Sequence, residues 1–430
     1  MSKETRIGFV PDDFGSFILR EKLTRNNAGE WGVEPDESAC GVLRSTNFTN
    51  EGILDLNDVA RRTLSEAKRR QKSLREGDII IERSGGSDNQ PVGRVGYITA
   101  DIGRRGYSFS NFIQRISLDG SVNPKFVFHC LHRMHEMGVT LGMQTQTTGI
   151  RNLDYKFYSR SCLPLPSRVE QDGIVVALES VDGAVAVARE SIAKAERLQK
   201  GLMQQLLTGR LKPDGTPRRD TDFKTDDHFG RLPRNWHSAR IKNLITSCEY
   251  GLSRAMSEHG RYPIFRMNNI ERGRMVAAPL AYIDLSPEDF ARYRVRRGDI
   301  LFNRTNTIEL VGKVGIFALE GDFVFASYLV RLVANEENDP RFLNYYLNSF
   351  EGQKRIAAKV TPSIGQANIN TRSLKSVWAV KPPRDEQSAI ADRLDALYEL
   401  IRAKERKIAA LQQLKKSLMQ NLLTGQIRLI

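Results

Sequence analysis

The chain has 430 residues, 40% hydrophobic and 27% charged, the make-up of a soluble globular protein with room for two to four domains. Its 65 Lys and Arg against 51 Asp and Glu leave a formal charge of +14, which points to a polyanion and most often to nucleic acid. Four scattered cysteines (Cys40, Cys130, Cys162, Cys248) with no CxxC argue against a disulfide framework, and no apolar run approaches membrane-spanning or signal-peptide length, so a cytoplasmic protein is expected.

In chain order, residues 1–32 open on MSKETRIGFVPDDFG and hold no clear LPxxW motif. Arg44-Ser45-Thr46-Asn47 follows, then a basic stretch (Arg61, Arg62, Lys68, Arg69, Arg70, Lys72) suited to phosphate contact. A Gly77-Asp78-Ile79 turn leads into a strand and the polar loop IERSGGSDNQ, 81–90, before VGRVG at 92–96. Arginine with small polar and amide residues is the set that reads base edges, arginine on guanine and asparagine or glutamine on adenine. The candidate DNA-binding residues here are therefore Arg44, Asn47, Arg83, Ser84, Gly85 and Arg94. For any one of them, a solvated polar loop is the plainer reading. His129, His132 and His135 form HxxHxxH in a predicted helix; steps of three rotate the third off the face of the first, so they read as surface or packing residues rather than metal ligands. QTQTTGIRNL, 144–153, predicts a tight turn before the last strand, with phosphate contact as the alternative.

Beyond Pro166 the pattern becomes helical. Ile174, Leu178, Val181, Val185, Ala188, Ile192, Ala195, Leu202 and Leu206 recur in threes and fours, with Gln199 a polar break. Gly173 and Gly183 weaken this helix by about 1 kcal/mol each. It closes on LQKGLMQQLLTG, 198–209. The charged stretch 212–236, bearing Pro and Gly, reads as a linker that wraps rather than packs, and Trp236 opens a second pass. That pass contains Arg266-Met267-Asn268-Asn269, the basic Arg292, Arg294, Arg296 and Arg297, Gly298-Asp299-Ile300, the loop FNRTNTIEL at 302–310, VGKVG at 311–315 and VTPSIGQANI at 360–369. Its candidate DNA-binding residues are Arg266, Asn268, Asn269, Asn303, Arg304, Asn306 and Lys313. After Pro382-Pro383 a second seam runs through Ile390, Leu394, Leu397, Ile401, Ile408, Leu411, Leu418 and Leu422, polar at Lys404 and Lys415, and closes on LKKSLMQNLLTG, 414–425.

The two closing dodecamers share nine identities, and their terminal glycines stand 216 residues apart (425 − 209). The register holds upstream, pairing Phe109 with Phe325, Arg115 with Arg331, Gly149 with Gly365 and Asn152 with Asn368. It drifts to 219 at VGRVG and 221 at Gly-Asp-Ile, as loop insertions would make it. A repeat this long is a duplicated domain-sized module. A helix of roughly 40 residues spans about 60 Å, too long for one small domain, so the two copies are expected to pair antiparallel. No P-loop, GxGxxG, NPP(Y/F) or HExxH occurs, and no nucleophile, base and oxyanion site assembles, so no catalytic or metal residue is assigned.

Together, the paired LLTG helix ends, the RLPRNW before the second module, GDILFNRTN and VGKVG resemble the specificity (S) subunit of type I restriction-modification systems over nearly the whole chain. The resemblance implies an α+β fold: two α/β target-recognition domains separated by two long antiparallel coiled-coil helices, in a pseudo-twofold internal duplication. Its expected limits are 1–166 for the first recognition domain, 167–211 for the first spacer helix, 212–235 for a linker, 236–382 for the second recognition domain and 383–425 for the second helix. It also implies that each domain reads one half of a bipartite asymmetric site in double-stranded DNA. The helices dock two methyltransferase (M) subunits, through Leu202, Met203, Leu206, Leu207, Leu418, Met419, Leu422 and Leu423, and motor-nuclease (R) subunits join for cleavage. The chain itself then needs no cofactor: S-adenosylmethionine belongs to the methyltransferase, ATP and Mg to the motor. A non-catalytic coiled-coil adaptor with an incidental basic surface is the alternative, and a DNA enzyme acting alone a third reading. If the helices set the distance between half-sites, four residues inserted in either add about 6 Å and lengthen the preferred spacer; an unchanged spacer in the methylation pattern would sink that idea.

Overall fold

The computed structural model describes residues 3–87, 90–147, 150–363 and 366–429. They fall into two units, Met1–Arg189 with Arg406–Ile430, and Glu190–Glu405. The changeover follows the repeat, since Glu190 and Arg406 are again 216 residues apart (406 − 190).

In the first unit the main sheet is antiparallel, in the order Leu23–Ala28, Ile113–Leu118, Ile79–Glu82, Val95–Tyr97. The second unit repeats that order with Ile245–Tyr250, Leu329–Ala334, Ile300–Asn303 and Val314–Ile316, and adds the hairpin Ile270–Glu271 and Arg274–Met275 at the edge. The strands Ile79–Glu82 and Ile300–Asn303 each open with three apolar residues in a row because both of their faces are covered. Ile79 and Ile81 enter a core with the Pro124–Glu136 helix, whereas Ile80 points the other way, to Leu43 and Phe109. Ile300 and Phe302 split from Leu301 in the same period of two. The second face is covered by a three-stranded sheet, Ser108–Phe109, Cys40–Leu43, Ala60–Arg62, matched by Val324–Phe325, Tyr262–Phe265, Ala281–Ile283 with the same parallel and antiparallel pairings. His129 and His132, on the Pro124–Glu136 helix, are buried packing residues, and the His132 ring stacks on Phe128 at 5.9 Å.

The long helices are Arg168–Leu207 and Arg384–Leu423, 40 residues each, and each contributes one half to each unit. In the first unit their segments run antiparallel, with Arg428 beyond the second helix on Glu170 (2.6 Å) and Lys415 on Asp182 (2.7 Å). Lys415, a polar break in the apolar seam, is therefore answered by a carboxylate across it. In the second unit Arg272 reaches both helices, pairing with Glu196 (3.1 Å) and Glu405 (2.5 Å).

One expectation is corrected here. Leu206, Leu207, Met419, Leu422 and Leu423 are buried in the cores of their units, and Leu202, Met203 and Leu418 pack against the same cores. Fully burying such a side chain stabilises the fold by roughly 1.5–3 kcal/mol, so the five buried residues hold the modules together and offer a partner no surface, while Leu202, Met203 and Leu418 stay partly exposed.

What they hold is visible at the helix ends. Gly209 (φ +71°) and Gly425 (φ +68°) stop the helices in the left-handed conformation. A Cβ on Gly209 would sit 2.4 Å from Pro233 Cγ, and one on Gly425 would sit 3.0 Å from Pro11 Cδ. Behind those prolines lie Trp236 and Phe14, both 0% exposed. The first module thus has its lead-in after all, Val10 to Phe14 standing where the second has Leu232 to Trp236. The stretch 212–235 also departs from expectation, because it packs. It forms the hairpin Phe223–Asp226 with Gly230–Pro233, Leu232 is buried, and Arg218 pairs with Glu386 at 2.5 Å. Among the described residues no helix is long and apolar enough to cross a membrane.

Candidate nucleic-acid interface

A third small sheet in each unit gathers the polar loops. Ser84–Gly86 pairs with Ile150–Leu153, and that strand with Gln144–Thr147; in the second unit Thr305–Asn306 pairs with Gln366–Asn368, and that with Thr361–Ser363. The segment expected as a tight turn is therefore a hairpin laid against the loop. Asp88 and Asn89 of the first loop, Gly149 and its counterpart Gly365 lie outside the described residues.

The same side chains meet in both sheets. Ser84 Oγ donates to Asn152 Oδ1 (2.5 Å), and Asn368 Nδ2 donates to Thr305 Oγ1 (3.0 Å). The preceding arginines, Arg83 and Arg304, are half-buried: Arg83 donates to Gln114 Oε1 (2.9 Å) and Arg304 to Asn368 Oδ1 (3.3 Å). Their backbone N–H groups donate to the carbonyls of Phe112 (2.8 Å) and Tyr328 (3.0 Å). Those two aromatics occupy one register position and are each 42% exposed. Single exposed aromatics are common; here a matched pair stands beside matched arginines. Sequence reasoning passed over both, since Phe112 opens a buried strand and reads as core. Asn152 and Asn368 carried a signal in their pairing across the repeat.

In the first unit Phe112 and Trp31 flank a cleft of about 510 Å3 that brings Arg44, Ser45, Gly85 and Asn111 together. Arg44 is half-buried and pairs with Asp58 at 2.6 Å. At the matched positions of the second unit stand Arg266, half-buried, the exposed Asn268 and Tyr328, and Asn306, whose Nδ2 donates to Met267 Sδ (3.3 Å). Lys313 is exposed.

Four candidates are corrected to structural roles. Asn47, 1% exposed, donates to the carbonyls of Asp55 (2.7 Å) and Asp58 (3.0 Å), and its twin Asn269, 0% exposed, to those of Val276 (3.1 Å) and Pro279 (3.0 Å). Each asparagine oxygen accepts the backbone N–H of the arginine three residues earlier, so it shapes the turn that presents Arg44 or Arg266. Arg94, 5% exposed, forks onto Glu82 through two bonds of 2.8 Å and donates to the carbonyls of Phe48 (2.6 Å) and Ser45 (3.0 Å). It ties the Ser45–Phe48 segment to the sheet. Burial pushes the Glu82 carboxyl above its ordinary range, against the pull of the Arg94 guanidinium. Asn303 stands in the place of Glu82, buried, with Nδ2 on the Leu310 carbonyl (3.1 Å).

The basic stretches are largely engaged by their own chain. Arg62 pairs with Glu34 (2.5 Å), Lys68 with Glu30 (2.6 Å), Arg70 with Glu66, Arg294 with Asp322 (3.0 Å) and Arg297 with Glu320 (3.3 Å). Exposed pairs of this kind contribute little to stability and open readily to a stronger anion.

The family model described as the type I restriction modification DNA specificity domain matches residues 233–413. The type I restriction enzyme MjaVIII specificity subunit of Methanocaldococcus jannaschii is 25% identical over 97% of this chain and 94% of its own length. The MjaX specificity subunit of the same organism is 30% identical over 48% of this chain, and the match spans about half of that protein, 49%. Among solved structures, the type I restriction-modification S subunit from M. genitalium aligns over 98% of this chain and 99% of its own, with a TM-score of 0.56 at 12% identity, a likeness of fold. A type I restriction modification DNA specificity domain model thus matches residues 233–413, and along 97% of its length the chain is similar to a type I restriction enzyme specificity subunit.

Proposed function

We propose that this chain reads DNA sequence for a type I restriction-modification complex, each module reading one half of a bipartite asymmetric site. The observation that carries this is the pair of like frames holding unlike contents: Arg44 and Arg266, Arg83 and Arg304, and Asn152 and Asn368 match, whereas Ser45, Gly85 and Phe112 of the first module correspond to Met267, Asn306 and Tyr328 of the second. Arginine forks and amides supply hydrogen bonds to base edges, and the exposed rings supply apolar contact with thymine methyls. The basic surface adds salt-dependent affinity. Methyltransferase subunits, carrying S-adenosylmethionine, and motor subunits using ATP and Mg supply the chemistry, and the chain itself is non-catalytic. With the LLTG leucines buried, partner docking falls to side chains the long helices leave outside, such as Leu198 and Leu414, which share one register position and are 53% and 47% exposed.

Methylome sequencing of cells carrying the chain with its methyltransferase tests the reading. Arg44→Ala or Phe112→Ala is expected to relax one half-site only, and Arg266→Ala or Tyr328→Ala only the other, by about 1–3 kcal/mol at the affected base pair. Changes in both halves from one substitution, or in neither from any of the four, would refute the division of labour.

A further inference from the structure

Arg115 and Arg331 are the same residue of the two modules, 3% and 8% exposed, and the backbone holds them alike. Arg115 donates to the carbonyls of Gln71 (3.0 Å) and Ser73 (2.8 Å), Arg331 to those of Arg292 (3.2 Å) and Arg294 (2.7 Å). Each has an aspartate at 3.9 Å, Asp78 or Asp299, which also accepts the backbone N–H of Arg75 or Arg296. The cross-strand neighbour differs. Arg331 faces Glu249 and pairs with it at 2.5 Å. Arg115 faces Asn27, whose Oδ1 accepts from Nε (3.1 Å) and Nη2 (2.8 Å), leaving Asn27 Nδ2 buried with no partner among the described residues. Two residues earlier on that strand the second module has Ser247 and the first has Arg25.

The first module has thus lost a carboxylate and gained a guanidinium at one spot. The result is a cleft of about 350 Å3 lined by Arg25, Asn27, Arg70, Arg75 and Arg115, with no acidic residue in its described lining. Arg70 pairs with Glu66; Arg25 and Arg75 have no carboxylate within pairing distance among the described residues. The surplus charge is felt locally. Burial lowers the Arg115 guanidinium from its ordinary range; Asp78 opposes this, while Arg25 and Arg75 lower it further. Lys72 is lowered likewise, by burial and then by Arg115.

We propose that this cleft binds a phosphate group of the DNA backbone, occupying the place that Glu249 fills internally in the second module. Guanidinium forks and a free amide N–H are the donors a tetrahedral phosphate takes best. A backbone contact on one module alone would fix its register on the duplex without reading sequence. The assignment rests on the DNA-reading function proposed above.

The test is the salt dependence of DNA binding by the full chain in complex with its methyltransferase subunits. Asn27→Glu installs the second module's own carboxylate, and Arg25→Gln removes one half-buried donor that lies outside the apolar core. Either is expected to shrink the log–log salt slope by about 0.9, one phosphate. This is roughly a threefold smaller loss of affinity between 50 and 200 mM salt, with binding weakened equally on cognate and non-cognate DNA. Glu249→Asn is expected to steepen the slope. An unchanged slope in both first-module variants, with the wild type still selecting its site, overturns the cleft and leaves the function standing; a wild-type complex without site preference overturns both. Calorimetry with inorganic phosphate separates the sources: binding lost in Asn27→Glu while the DNA slope stays put would assign the cleft to a free anion and overturn the backbone contact.

Discussion

Acidification from pH 7 to about pH 5 is expected to unfold the first unit while the second stays folded. His129, His132 and His135 share one helix of the first unit, and burial lowers all three: His129 well below its ordinary value, His132 to about 3 and His135 to about 4. Neighbouring cations act in the same direction, Lys415, Lys416, Lys125 and Arg133 around the first two and Arg94 near the third; the carboxylate at hand, Glu136, lies 4.0 Å from His132. Each histidine is neutral in the folded unit and titrates near 6.5 once unfolded. Their contribution is fully present above that value and is lost as pH falls toward the folded values. Each proton taken up on unfolding is worth about 1.4 kcal/mol per pH unit, so the three together remove about 4 kcal/mol per unit. Only the span below 6.5 counts, so acidification to pH 5 removes about 6 kcal/mol, comparable to a modest stability in the ordinary range of about 5–15 kcal/mol. The second unit carries Tyr345, Asn348 and Glu351 at these positions, and its own His228, His237 and His259 are exposed. Hydrogen exchange followed segment by segment across this range reads the difference. Simultaneous loss of protection in both units, or a first unit intact at pH 4, would count against it.

Trp236→Ala is expected to cost the second unit about 3–5 kcal/mol, with the loss confined to residues 190–405. The indole is fully buried between the end of the first long helix and the sheet core, beside Leu206, Leu207 and Ile390. Phe14→Ala should do the same to the first unit. Trp236→Phe, which adopts the first module's own residue, should be far milder. Gly209→Ala tests the seat itself, because a methyl there meets the Pro233 ring and the backbone sits at positive φ; a strained position of this kind costs about 1–3 kcal/mol. Chemical denaturation resolved by unit measures all four. A Trp236→Ala protein within about 1 kcal/mol of wild type would show that the Pro-x-x-aromatic seat does not hold the module.

The duplicated architecture could be read from residues alone because a repeated apolar seam and a repeated Leu-Leu-Thr-Gly leave few alternatives. The role of that motif could not. Buried leucines at a helix end look the same whether they face a partner or their own core, and only the position of Pro233 and Pro11 against the glycines decides. Phe14 hid the first lead-in for a related reason, since a motif search asks for tryptophan and packing asks only for a large ring. At the candidate interface the loops were legible by composition, but Asn47, Asn269, Asn303 and Arg94 serve backbone carbonyls and a buried carboxylate. An asparagine that shapes a turn and one that reads adenine are identical in sequence. Phe112 and Tyr328 emerge only once their exposure is known.

The division of the chain between the units has a consequence for how the protein is made. Residues 190–405 are contiguous, so a ribosome delivers everything the second unit needs in one stretch. The first unit must wait, because Met419, Leu422, Leu423, Gly425 and Arg428 complete its core and cover Phe14 and Asp13, and they are synthesised after the whole of the second. The half that emerges first is thus the last to close, and a nascent chain that stalls or is clipped near Arg428 loses the first unit while retaining the second.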